Sequence, residues 1–179
     1  MKNNKYKILV LSDLKDKSKQ TLSYAAKLSN EIDAVLELFH AKQASEVAEI
    51  DNPLSAMRVI SHVCNKTDKK IKNLVAPIAK ENNIKIKSTF AHGNVKNEII
   101  KYITTSQPDM IIMGECRQKR FNFFGNQITQ LVNDNYKGVV FVVTHETILD
   151  ATGNVSLDNL GLKNNIANYN IKAKDKFKV

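Results

Sequence analysis

The sequence predicts an α/β domain: a doubly wound, Rossmann-like parallel sheet of five strands, followed by a C-terminal extension. Two observations carry that expectation. Short, nearly continuous apolar runs alternate with longer stretches whose apolar residues fall at helical spacing, in strand-helix order over residues 5–143. Such an order builds parallel sheets through right-handed crossovers. Most of the runs are also apolar on both faces, as strands covered by helices on both sides must be.

Residues 5–12 form the first run, with Tyr6, Ile8, Leu9, Val10 and Leu11, and Asp13 stands at its carboxyl end. Ser18 offers an N-cap for a helix through residue 32, whose Leu22, Ala25, Ala26 and Leu28 keep helical intervals. Residues 34–40, with Val35, Leu36, Leu38 and Phe39, are the second strand. Asn52 and Pro53 then start a long helix, Pro being harmless in the first turn, where its missing N–H has no partner to lose. Met57, Ile60, Cys64, Ile71, Leu74 and Ile78 place one face of it toward the core, and Pro77 is expected to kink it. Residues 84–90 alternate Ile84, Ile86, Ser88 and Phe90 against Lys85, Lys87 and Thr89, which suits an edge strand with one solvated face. Gly93 and Asn94 start a helix that Pro108 stops, and residues 109–114 are a fourth buried strand. A loop over 115–124, a helix over 126–135 and a strand over 139–143 complete the domain, which is expected to span residues 1–145. The extension, 146–179, ends in a two-faced alternation of Tyr169, Ile171, Ala173, Phe177 and Val179 with Asn170 and lysines. That pattern reads as an extra strand over 168–179 or as a frayed basic terminus.

Composition excludes several classes. With 179 residues, 42% hydrophobic, 25% charged, 6 Gly, 3 Pro and 2 Cys, the chain is neither collagen-like, nor a disulfide scaffold, nor disordered. Its longest strongly apolar run, 139–143, falls far short of the ~20 residues that cross a bilayer. Only Ile8 to Leu11 follow the basic N-terminus before polar residues, so no signal-peptide core is read and a cytoplasmic location is expected. Cys64 and Cys116 fit no metal-ligand spacing and suit a reducing compartment. The formal charge is +9, yet 24 of 27 basic residues are lysines scattered along the chain, and only Arg58, Arg117 and Arg120 are arginines. Nucleic-acid recognition favours the guanidinium fork, so no nucleic-acid partner is expected.

In a doubly wound sheet, ligands bind outside the carboxyl ends of the strands. Those ends carry Ser12-Asp13, His40-Ala41, His92-Gly93, Gly114-Glu115-Cys116 and Thr144-His145. Three histidines share the edge, but no spacing supports a coordination set, and no metal is expected. The densest constellation runs from Gly114 through Arg117, Lys119 and Arg120 to Gly125-Asn126 at a helix start. Glycine lets backbone approach a ligand, and a helix N-terminus presents unpaired N–H groups to an anion. An ordinary solvated basic loop with a helix cap fits the same residues.

The arrangement of residues 5–145 resembles the universal stress protein family. Ile8 to Asp13 is similar to its opening strand and aspartate, and Tyr24-Ala25-Ala26-Lys27-Leu28 to its first helix. Leu38-Phe39-His40-Ala41 matches its second strand, and Gly93 with Glu98-Ile99-Ile100, then Asp109 to Gly114, its later half. The resemblance implies strand order 3-2-1-4-5, a ribose contact at Asp13 and an adenine contact at Ala41. ATP-binding members place a glycine, two residues, a second glycine, nine residues, then Gly-Ser or Gly-Thr around the phosphates. Gly114 matches the first glycine and Gly125 the third. Arg117 occupies the second position, the loop is shorter, and Asn126 replaces the hydroxyl residue. A side chain at the second position keeps backbone N–H groups away from a triphosphate, and loss of the hydroxyl removes a donor. The expectation is a non-enzymatic, cytoplasmic stress-response module whose family-type ATP binding is weakened or lost. The alternative is an ATP- or AMP-binding regulator using the modified loop 114–126, in which Arg117, Lys119 and Arg120 supply charge. A thiol enzyme using Cys116 beside Arg117 and Arg120 is a second alternative; it lacks both a Cys-x5-Arg spacing, Asn122 standing there, and a neighbouring histidine. A phosphorelay receiver is disfavoured, since Asp13 is the only acid at the first three strand ends.

In that strand order 139–143 is an edge, and unlike 84–90 it carries no lysine. An apolar edge must be covered or paired. The family resemblance implies pairing with the same strand of a second copy, so a homodimer is expected, with the tail as a further strand in its own sheet or its partner's.

Overall fold

A computed structural model describes residues 6–15, 17–43, 52–114 and 124–143. The elements are β1 (Tyr6–Leu11), α1 (Ser18–Glu31), β2 (Ala34–Lys42), α2 (Pro53–Asn82), β3 (Ile86–His92), α3 (Val95–Ser106), β4 (Met110–Gly114), α4 (Phe124–Asn135) and β5 (Val139–Val143). They form one parallel five-stranded sheet in the order β3-β2-β1-β4-β5. The extension, with its proposed strand over 168–179, lies outside the described residues.

Strand alternation divides the core into two layers. Leu9, Leu11, Phe39, Ile111 and Met113 pack with Ile99 and Ile103 of α3 and Val132 of α4. Ile8, Val10, Leu36, Leu38 and Ile112, all fully or almost fully buried, point to the opposite face, the side of α1 and α2. β1, β2 and β4 are therefore apolar on both sides, which explains their continuous runs.

The chain departs from its local signals at three places. Ser18 is the first residue of α1 rather than its cap; the cap position is Lys17, which makes no side-chain capping bond, and Ser18 bonds Asp13 instead. The third strand is Ile86–His92, two residues later than the alternation suggests. Ile84 belongs to the end of α2: Asn83 is left-handed (φ 51°), and Ile84 N–H donates to the Ala79 carbonyl at 3.1 Å, a six-to-one closure that draws an apolar residue back onto the helix. Pro77 lies inside α2, which continues to Asn82, and Asn52 caps the helix as expected, its side chain accepting from the Leu54 and Ser55 amides. Finally, Met57 is 65% and Ile60 43% exposed, although they share a helical face with the buried Ile71 and Ile78. A helix of 30 residues is about 45 Å long, whereas the strands beneath it reach only about 30 Å. The first turns of α2 outlast the sheet that would bury them.

Among the described residues one carboxylate lies inside. Glu37, 3% exposed, stands opposite Leu9 and Lys87 in the register of β2. Its Oε1 is 3.0 Å from Lys87 Nζ and 3.9 Å from Lys7 Nζ, and Tyr102 Oη donates to Oε2 at 3.4 Å. The Tyr102 ring stacks on Phe39 with centroids 4.1 Å apart, and Tyr102 also bonds Thr89 Oγ1 at 3.3 Å. Lys87 and Thr89, read from sequence as a solvated face, thus meet α3 through a polar cluster.

Candidate functional site

The carboxyl edge gathers its residues around the end of β1. Ser12 leaves the strand with its N–H on the Phe39 carbonyl, 3.0 Å, and its carbonyl on His40 Nδ1, 2.8 Å. Asp13 follows and shapes the turn into α1: its Oδ1 accepts from Lys15 N–H at 3.0 Å and Ser18 Oγ at 3.1 Å, while Lys15 Nζ stands 3.7 Å from Oδ2. Between them Leu14 adopts φ 56° and donates its N–H to Ser12 Oγ. One carboxylate oxygen of Asp13 is therefore held by the turn, and the half-exposed side chain keeps the other toward solvent and Lys15.

Ala41 sits at the end of β2 and Gly114 at the end of β4, the two strands that flank β1. Asp13, Ala41 and Gly114 thus converge where the winding reverses, with α1 and α2 on one side and α3 and α4 on the other, the place where such sheets hold ligands. Gly125 and Asn126 lie in the first turn of α4, which begins at Phe124 rather than at Asn126. Arg117, with Cys116, Lys119 and Arg120, lies outside the described residues. Among the described residues no group of three or more His, Cys, Asp or Glu could hold a metal ion, and no helix is long and apolar enough to cross a membrane.

Gly114 has a structural reason to be glycine. A Cβ built there would stand 2.7 Å from Thr21 Oγ1, and that hydroxyl is itself held on the Lys17 carbonyl at 3.2 Å. Gly114→Ala should cost about 1–3 kcal/mol of unfolding free energy in urea titrations, and Thr21→Ala should recover most of the loss in the double variant.

Sequence reasoning passed over His40 as a tether and Ser18 as the partner of Asp13. His40 is 9% exposed, and burial pushes its ring below the usual histidine range; the Ser12 carbonyl and Asp13 oppose that effect, and His92 and Lys42 add to it. On β3, His92 stands edge-on to Phe90 at 5.6 Å, and its buried Nε2 has no hydrogen-bond partner among the described residues.

The fold defines a doubly wound α/β protein in which the ends of β2, β1 and β4 lie side by side at the switch point of the sheet. The sequence profile of the universal stress protein family matches residues 6–134, and the chain belongs to that family. Universal stress protein UspA from Lactobacillus plantarum is similar in fold at TM-score 0.62 and 16% identity, over 77% of this chain and 97% of that one. A universal stress protein in complex with cAMP is similar at TM-score 0.52 and 15% identity, over 77% and 95%. A family protein from Arabidopsis thaliana with AMP bound gives TM-score 0.52 and 15% identity, over 79% and 95%. No curated protein matches the chain.

Proposed function

We propose that the protein is a cytoplasmic, non-catalytic stress-response module, an α/β domain over 1–145 with an extension over 146–179. It acts as a homodimer paired through β5, and its nucleotide site accepts an adenine mononucleotide better than ATP. The observation that carries this reading is the joined end of β1 and β2, where Asp13 and Ala41 are held on adjacent strands by the Ser12–Phe39 and Ser12–His40 bonds. Those are the residues at which the family resemblance places ribose and adenine. The triphosphate end departs from the family pattern at Arg117 and Asn126, so affinity is lost chiefly for the outer phosphates. The similar folds with AMP and cAMP bound support the mononucleotide.

Isothermal titration should give a micromolar dissociation constant for AMP and one at least about tenfold weaker for ATP, a difference of about 1.4 kcal/mol. Asp13→Ala should weaken both. Tighter binding of ATP than AMP would refute the preference, and no binding of either would refute the site.

A further inference from the structure

We propose that Ser18 is the positioning residue of this site and that, through Asp13, it makes the site selective for ribonucleotides over deoxyribonucleotides. This role rests on the nucleotide reading above, whose sugar it specifies. Ser18 stands at the first position of α1, where a serine one residue earlier would have capped the helix. Lys17 holds the cap position without a side-chain bond, and the Ser18 hydroxyl donates to Asp13 Oδ1 at 3.1 Å instead. The helix thus forgoes a cap while the residue best suited to it holds a carboxylate. Ser18 is only 6% exposed, and its N–H is fastened to the Lys15 carbonyl at 2.9 Å. Oδ1 accepts a second bond from the Lys15 N–H at 3.0 Å, and the left-handed Leu14 donates its own N–H to Ser12 Oγ within the same turn.

Two donors on one oxygen decide which oxygen of Asp13 is left for a ligand. Among the described residues Oδ2 meets only the Lys15 ammonium, at 3.7 Å, and that side chain is 73% exposed. Such a screened pair gives way to a ligand at little cost. A carboxylate oxygen only accepts, so the group that completes Oδ2 is a donor, and on a nucleotide sugar the donors are hydroxyls. A deoxy sugar leaves Oδ2 to water. Because the Asp13 side chain is 45% exposed, water partly replaces the missing hydroxyl, and the discrimination is about tenfold rather than the far larger factor of a closed site. Without the Ser18 hydroxyl, Oδ1 keeps a single donor and the carboxylate is free to turn about its last bond. Ala41 lies on β2 and has no part in that turn, so the loss falls on the sugar and not on the base.

The test titrates AMP, 2′-deoxy-AMP and 3′-deoxy-AMP calorimetrically into the full chain at neutral pH. In the wild type at least one deoxy analogue should bind about tenfold more weakly than AMP. Ser18→Ala should bind AMP about fivefold more weakly than the wild type does, yet hold that analogue within about twofold of its wild-type affinity, so the discrimination falls to about twofold. A role confined to supporting the helix would weaken all three ligands alike and leave the ratio intact. Alanine suits a helical first turn, and circular dichroism checks that the variant is folded. Asp13→Asn is the second variant: its amide oxygen accepts the same two donors, and the NH₂ left at the Oδ2 position cannot accept a hydroxyl proton. Its ratio should also fall to about twofold or less. Equal binding of the three ligands by the wild type, or a ratio that survives in Ser18→Ala or in Asp13→Asn, overturns the proposal. Failure of the wild type to bind any of the three instead refutes the nucleotide reading itself.

Discussion

Glu37→Leu should leave unfolding stability within about 1 kcal/mol of the parent, whereas Lys7→Met with Lys87→Met should lower it by about 3 kcal/mol. The asymmetry comes from which groups can reach water. With Glu37 gone, Lys87, 64% exposed, and Lys7, 33% exposed, hydrate their ammonium groups, and Lys7 keeps its bond to the Ser106 carbonyl at 2.8 Å. Tyr102 keeps Thr89 as a partner. Leucine at 37 would lie on the same face as Leu9 and Phe39, in a layer already apolar. Removing both lysines instead strands a carboxylate that is 4% exposed, with only the Tyr102 hydroxyl at 3.4 Å. The pair is also felt from the other side: the hydrogen bond to Glu37 raises the Lys87 ammonium above the usual lysine range. Urea denaturation at neutral pH measures both variants. A loss above about 2 kcal/mol in Glu37→Leu, or none in the double variant, would show that the carboxylate is not held by its lysines.

Val142→Lys should convert the proposed homodimer into a monomer of 20.2 kDa without loss of helix or sheet signal. β5 ends the sheet at β4, and its sequence VVFVV offers no charge to discourage a further strand. Val142 is 38% exposed, so a lysine there costs the folded subunit little. Across a two-fold axis the substitution enters twice, placing two like charges in one narrow seam. A weakening of association by about a hundredfold or more, about 2.7 kcal/mol, is expected. Sedimentation at micromolar concentration decides the matter: a wild type that is already monomeric removes the proposed interface, and a Val142→Lys dimer moves it elsewhere.

The sheet was legible because β1, β2 and β4 are buried on both faces and say so in unbroken apolar runs. What was not legible had competing causes. Ile84 looked like the first residue of an alternating strand because a left-handed Asn83 folds it back onto α2, and the alternation cannot distinguish those two origins. Met57 and Ile60 carry core periodicity, but periodicity reports a helix face and not the length of the sheet beneath it. Glu37 sits in a strand where a single carboxylate reads as a solvated position; only the later knowledge that β2 is flanked by β1 and β3 places it inside, and the lysines at 7 and 87 were the available hint. The places of Asp13, Ala41 and Gly114 at the carboxyl ends of their strands were legible from the apolar runs and the family pattern. The bonds of Ser18 to Asp13 and of His40 to Ser12 required coordinates, since each joins residues through a turn or across strands.

Left-handed backbone at Asp33 (φ 52°), Asn83 (φ 51°) and Gln107 (φ 45°) closes the turns after α1, α2 and α3, all at the amino edge of the sheet, and none of these residues is glycine. Among the described residues the fourth non-glycine residue of this kind, Leu14 (φ 56°), stands at the opposite edge, beside Asp13. Asn and Asp tolerate this region, whereas a branched apolar side chain gains nothing there to offset a cost of roughly 1 kcal/mol. The two edges therefore differ in how much improvement they would accept: glycine at Gln107 relieves tension far from any ligand, but relaxing Leu14 would loosen the turn that aims the carboxylate. Thermal robustness in this molecule is best sought at the floor of the sheet and left untouched at its rim.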